Sequence, residues 1–118
     1  MEKLTKQEEA AMQSIWKIGK GFVKDFLEAH AEPVPPYTTL ASTIKNLEKK
    51  GYLGSTKIGN VYEYTQLIEE GDYTRKFMSG FVKDYFENSY KELVTFFAKE
   101  KNISPDELKE IIRMIEKK

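Results

Sequence analysis

The stretch that decides the fold is YTTLASTIKNLEKKGYLGSTKIGNVYEYT, residues 37–65. Its apolar positions Leu40, Ile44 and Leu47 step by four and three, which predicts a helix over 37–50 with one narrow stripe turned to a core. Gly51 ends that helix. Beyond it, β-branched and aromatic residues (Ile58, Val61, Tyr62, Tyr64) flank Gly59-Asn60, the pattern of a β-hairpin closed by a two-residue turn. At about 100° per residue, the side of the helix opposite the stripe gathers Thr38, Ser42, Lys45, Asn46 and Lys49. No carboxylate lies on it; Glu48 sits on the flank.

Toward the N-terminus, Thr5-Lys6-Gln7-Glu8 is a capping box, and Met12, Ile15 and Trp16 recur at helical spacing until Gly19 and Gly21. This predicts a helix over 6–18 with those three side chains in the core. Phe22, Val23, Phe26 and Leu27 share one side of a second, shorter helix, and Pro33, Pro35 and Pro36 make a rigid loop after it. Three helices followed by a hairpin is the order of a winged helix-turn-helix, whose third helix can enter a major groove while the hairpin touches backbone. Residues 1–66 are therefore expected to form a winged helix-turn-helix DNA-binding domain.

Residues 67–118 read as helix only, so the fold class is mainly α with a small β-hairpin. Tyr73, Phe77, Met78, Phe81, Val82, Tyr85 and Phe86 form a wide stripe, and Leu93, Val94 and Phe97 a narrower one. A last helix opens at Ser104-Pro105-Asp106-Glu107, with Ser at the N-cap, Pro at N1 and Glu at N3, and carries Leu108, Ile111, Ile112 and Ile115. About fifty residues are too few to close a packed core alone. A symmetric homodimer would cover the surplus, through Tyr73, Phe77, Phe81, Tyr85, Phe86, Leu93, Val94, Phe97, Leu108, Ile111, Ile112 and Ile115. Folding back onto the first domain of the same chain is the other way to cover it.

Composition excludes several classes. The 118 residues contain no cysteine and one histidine, His30, which removes thiolate chemistry, disulfides and His- or Cys-based metal sites. No catalytic residue, metal or cofactor is assigned. His30 shares a side with Phe22 and Phe26 and reads as a packing residue, while Asp106, Glu107 and Glu110 suit a helix start. The opening MEKLTKQEEA has no apolar signal region and no run of about 18 apolar residues occurs, which points to a cytoplasmic protein without a membrane partner. Nineteen basic residues balance nineteen acidic ones, so any polyanion site must come from local placement.

Local placement singles out helix 37–50. Thr38, Thr39, Ser42, Lys45, Asn46 and Lys49 are the candidates for major-groove contact: short hydroxyls approach base edges, Asn pairs with adenine, and Lys reaches phosphate or guanine. Lys50, Lys57 and Asn60 are candidates for the DNA backbone. Both arginines, Arg75 and Arg113, lie outside this region, so bidentate Arg–guanine contacts are absent from it. Tyr62 and Tyr64 share one face of the hairpin and read as cover for the core. Neutral net charge and the missing arginines leave open a winged-helix module that binds protein instead of DNA.

The pattern as a whole resembles one family. Leu4-Thr5-x-x-Glu8 with Met12 and Trp16, Tyr37-Thr38-Thr39-Leu40, Ile44, Leu47, Lys49-Lys50-Gly51-Tyr52-Leu53 and Tyr62-x-Tyr64 are similar to the penicillinase and methicillin-resistance repressors and their copper-responsive relatives, the BlaI/MecI/CopY family. The ending from Leu93-Val94 to Ser104-Pro105-Asp106-Glu107-Leu108 looks like that family's dimerisation tail. The resemblance implies a homodimeric repressor on a dyad-symmetric operator. In the β-lactam branch a sensor protease pathway releases the repressor by a cut that would fall at Phe96-Phe97, where Phe96 replaces the usual Asn. The copper branch's cysteine motif is missing. Ala41 and Asn46 stand where a basic residue and an Arg are frequent, which implies a different operator. A small apolar ligand between the C-terminal helices is the alternative means of release.

Overall fold

The computed structural model describes residues 2–100 and 103–116, the side chains of 115 and 116 excepted. The chain divides into two compact units, Met1–Glu69 and Glu70–Lys118.

The first unit opens with α1 (Lys6–Ile18), held at its start by the Thr5/Glu8 capping box: Glu8 N–H donates to Thr5 Oγ1 at 3.1 Å and Thr5 N–H to Glu8 Oε1 at 2.9 Å. Gly19, at φ +88°, closes the helix with its N–H on the Ile15 carbonyl. Glu8, Ala11, Met12 and Ile15 are buried at the i, i+3, i+4, i+7 spacing of one face. Trp16 is only half-buried; its indole Nε1–H donates to the Ile68 carbonyl at 2.9 Å and ties α1 to the end of the unit.

After Gly19 the chain makes β1 (Lys20–Gly21), then α2 (Val23–Ala29), whose start is satisfied by Asp25 Oδ2 accepting the Phe22 N–H at 2.9 Å. Phe26 is the fully buried residue of this helix. The prolines follow, and α3 (Tyr37–Lys49) buries Leu40, Thr43, Ile44 and Leu47. Complete burial of an aliphatic side chain is worth roughly 1.5–3 kcal/mol each, so this stripe anchors α3 on α1 and α2. Gly51, at φ +86°, turns the chain out of the helix.

β2 (Leu53–Ile58) and β3 (Val61–Gln66) form the hairpin, with Ile58 opposite Val61 across Gly59-Asn60. Positive φ at Gly59 (+62°) and not at Asn60 fits a type II′ turn. The hairpin is not alone: β1 pairs antiparallel with β3, Lys20 with Thr65 and Gly21 with Tyr64, giving the sheet order β1-β3-β2. No local signal marks β1 in the sequence, because a two-residue strand shows no alternation. The arrangement is a winged helix-turn-helix.

The second unit consists of α4 (Glu70–Phe86), α5 (Tyr90–Lys99) and α6 (Pro105–Glu116). Asn88, at φ +64°, and Glu87, at +50°, make the sharp turn between α4 and α5, and Ser89 Oγ caps α5 by accepting the Glu92 N–H at 3.1 Å. Ser104 and Glu107 form a capping box at α6. Val82, Leu93 and Ile112 are the buried centre, with Phe81, Phe86, Tyr90, Val94 and Phe97 packed around them. Among the described residues, no helix is long and apolar enough to cross a membrane.

Candidate nucleic-acid interface

The stripe of α3 fixes which residues face outward. With Leu40, Ile44 and Leu47 sealed, Thr38, Ser42, Lys45, Asn46 and Lys49 are all exposed, and Thr39 is half-buried. Glu48, the one acidic residue of this helix, is held on the flank: its Oε2 accepts the Ser55 hydroxyl at 2.5 Å, which ties it to β2. The outward side therefore presents lysines, an amide and hydroxyls without a competing carboxylate. Such a surface can meet phosphates and base edges together.

Lys57 and Asn60 are exposed on the hairpin, and Lys57 has no ion-pair partner among the described residues. Lys50 is different. Its Nζ donates to Glu8 Oε1 at 2.6 Å and to the Lys3 carbonyl at 3.0 Å, so its charge is engaged within the protein instead of being offered to DNA. Nothing local distinguishes it from its neighbour Lys49, because its partner lies 42 residues away.

Burial pushes the Glu8 carboxyl up, but the Lys50 hydrogen bond, the Thr5 amide and the Lys50 charge outweigh it and hold the group below its ordinary value. Tyr52 closes the same corner, fully buried, with its hydroxyl donating to the Glu2 carbonyl at 2.6 Å. Burial, then the carboxylates of Glu8, Glu2 and Glu9, raise its phenol.

Tyr62 and Tyr64, which alternate onto one face of β3, part company. Tyr64 is 4% exposed and covers the core as expected, whereas Tyr62 is 45% exposed and does not. Tyr64 lies in the part of β3 that also pairs with β1, opposite Gly21, while Tyr62 lies beyond it, toward the turn.

Among the expected contact residues of the second unit, Leu93, Leu108 and Ile112 are buried within the chain's own helices. Phe81, Phe86, Val94 and Phe97 are half-buried against that centre. Phe77, Tyr85 and Ile111 remain exposed, at 52%, 74% and 37%, and Tyr73 is half-buried beside Phe77. Phe96 and Met114, outside the expected contact set, are exposed too. The side chain of Ile115 lies outside the described residues. At Phe96-Phe97 the two rings meet edge to face at 5.3 Å, inside α5. Among the described residues no group of three or more acidic or imidazole side chains converges as a metal site would require.

A family model described as "Penicillinase repressor" matches residues 4–117. The chain belongs to the penicillinase repressor family. Within its wider relatives, the methicillin resistance regulatory protein MecI of Staphylococcus aureus is 29% identical over 80 residues, 68% of this chain and 65% of that protein. MecI of Mammaliicoccus sciuri matches to the same extent. The penicillinase repressor of Bacillus licheniformis is 28% identical over 78 residues, 66% of this chain and 61% of its own length. The matched stretch thus spans no more than 65% of these relatives' length. Membership of the penicillinase repressor family accords with the BlaI/MecI resemblance of the sequence and with the winged-helix architecture of the first unit.

Proposed function

We propose that this protein is a transcriptional repressor that occupies duplex DNA through the outward side of α3. The observation that carries this reading is the exposed, carboxylate-free set Thr38, Ser42, Lys45, Asn46 and Lys49 in a chain matched over residues 4–117 by the penicillinase repressor family. Thr38, Thr39, Ser42 and Asn46 read base edges; Lys45 and Lys49 contact phosphate or guanine; Lys57 and Asn60 steady the backbone. Lys50 is left out of the contact set because Glu8 holds it.

A region without arginine gives modest affinity per copy, so the proposal includes a homodimer in which two copies act on one dyad-symmetric site. The exposed Phe77, Tyr85, Phe96, Ile111 and Met114 of the second unit are the surface for it. Large apolar side chains of this number on a small helical unit favour a partner over water. Release by a cut at Phe96-Phe97 requires α5 to open first, since the bond lies inside a hydrogen-bonded helix of ten residues. A protease acting there, or a small apolar ligand, would end repression.

The deciding experiment is selection of duplexes from a random pool by the wild-type protein, followed by a gel shift on the winner and on a scrambled duplex. Recovery of a sequence bound well above the scrambled one supports the proposal. Failure to retain any duplex would instead favour a winged-helix module for protein partners.

A further inference from the structure

Glu48, the acid of α3, stands in the last turn of that helix, where the carbonyl end is least hospitable to a negative charge. Its carboxylate finds a donor outside the helix: the Ser55 hydroxyl of β2 donates to Glu48 Oε2 at 2.5 Å. Sheet geometry puts that hydroxyl there. Ser55 lies two residues beyond Leu53, so the two share a side of β2, and Leu53 is buried, which turns that side toward the core. Across the hairpin Ser55 is paired with Tyr64, also buried. The charge of Glu48 registers at the same place: burial first, then the Glu48 carboxylate, raises the Tyr64 phenol.

Helix spacing sets what the bond prevents. Lys45 precedes Glu48 by three residues, and opposite charges three apart on a helix are neighbours that pair. Lys49 follows Glu48 directly and does not face it. Lys45 is exposed and has no ion-pair partner among the described residues. A Glu48 side chain without Ser55 therefore has Lys45 within one turn, and Lys45 is a residue that the DNA-binding reading assigns to phosphate or guanine.

We infer that Ser55 is a positioning residue for DNA binding: its hydroxyl holds the Glu48 carboxylate against the hairpin and so keeps the Lys45 ammonium free for the duplex. The inference rests on the DNA-binding reading of α3 and deepens it, naming a residue off the helix on which the open positive side depends. Carboxylate and phosphate are rival acceptors for one ammonium. A rival on the same helix acts at high effective concentration and needs only a change of rotamer to reach it. A second effect has the same sign, since a carboxylate turned outward repels phosphate.

The test uses the full chain, the duplex selected from the random pool and a scrambled duplex, titrated at several salt concentrations. Ser55→Ala should weaken both duplexes by about twofold to fourfold, the competition expected of an exposed pair at i, i+3. It should also flatten the salt slope by part of the roughly 0.9 units that one phosphate contact supplies. Ser55→Thr keeps the hydroxyl and should bind as wild type. In a Glu48→Gln background Ser55→Ala should change neither affinity nor slope, because a neutral amide does not compete as an anion. A loss that persists in that background would assign the hydroxyl to the hairpin's own structure and overturn the inference. A Ser55→Ala protein with wild-type affinity and slope would overturn it as well. If the wild-type chain retains no duplex, the reading of α3 falls and takes this inference with it, so the wild-type lane tells that failure from the other two.

Discussion

Lys50 at the end of α3 and Glu8 in the first turn of α1 meet at 2.6 Å, with side chains only 23% and 7% exposed, across 42 residues of sequence. The same Glu8 oxygen accepts the Thr5 amide, so one carboxylate closes the cap of α1 and fastens α3 to it. Under the proposed reading, stiffening at this corner bears on function, because α3 is the helix proposed to meet DNA.

Removing one partner should cost more than removing both. Glu8→Ala leaves a half-buried ammonium and an uncapped amide, and should lower unfolding free energy by about 1–3 kcal/mol, while Lys50→Met in that background should restore part of the loss. Urea unfolding of the two single variants and the double variant measures the coupling; additive losses would show that the pair is not linked.

Acid should undo the same corner. Because the folded Glu8 carboxyl titrates below its ordinary value, its stabilisation is fully present above the unfolded carboxylate range, about pH 4.3, and is lost as pH falls through the folded value. Glu8→Gln should therefore reduce stability at pH 7 and narrow its difference from wild type in strongly acid solution, as thermal unfolding across pH would reveal.

Lysines on α3 should divide by geometry. Lys45→Ala and Lys49→Ala should weaken binding to every duplex and flatten the salt slope by about one unit each. Lys50→Met should leave the slope alone, since that charge is already neutralised inside the protein. Titration at several salt concentrations separates the two behaviours, and a changed slope for Lys50→Met would contradict the assignment.

Self-association should depend on what the second unit leaves open. Tyr85→Asp, at a position 74% exposed, should yield monomers in sedimentation with folding retained. Leu93→Ala, at a position 2% exposed, should cost about 2–5 kcal/mol in stability through a cavity. A Tyr85→Asp protein that still sediments with the mass of wild-type oligomers would place the contact elsewhere.

The hairpin turn offers a local check. Gly59 adopts φ +62° with nothing within 4 Å of an added Cβ, so Gly59→Ala should cost about 1–2 kcal/mol from backbone strain alone, without any clash. Thermal unfolding would register it; a neutral effect would mean that the turn relaxes to another type.

Much of the fold was legible because its signals are short. Thr5 and Glu8, Leu40 with Ile44 and Leu47, Gly59-Asn60, and Ser104 with Glu107 each act within about one helical turn or one tight turn, so neighbours in sequence carry the whole instruction. The outward side of α3 follows from the same periodicity. Partnership is a different matter. Lys49 and Lys50 look alike in sequence, yet only the second finds Glu8; Tyr62 and Tyr64 share a face, yet only the second lies opposite β1.

The sequence by itself determined the bounds of the first and third helices and the start of the last, their apolar sides, and that a winged helix precedes a helical region, since these depend on bonds and contacts a few residues apart. Tertiary structure alone decided that Lys50 serves the interior, that Lys20-Gly21 joins the sheet, and that Leu93 and Ile112 are spent within the chain. Each of those outcomes depends on which distant segments the folded backbone brings within a few ångströms, and no local pattern encodes that distance.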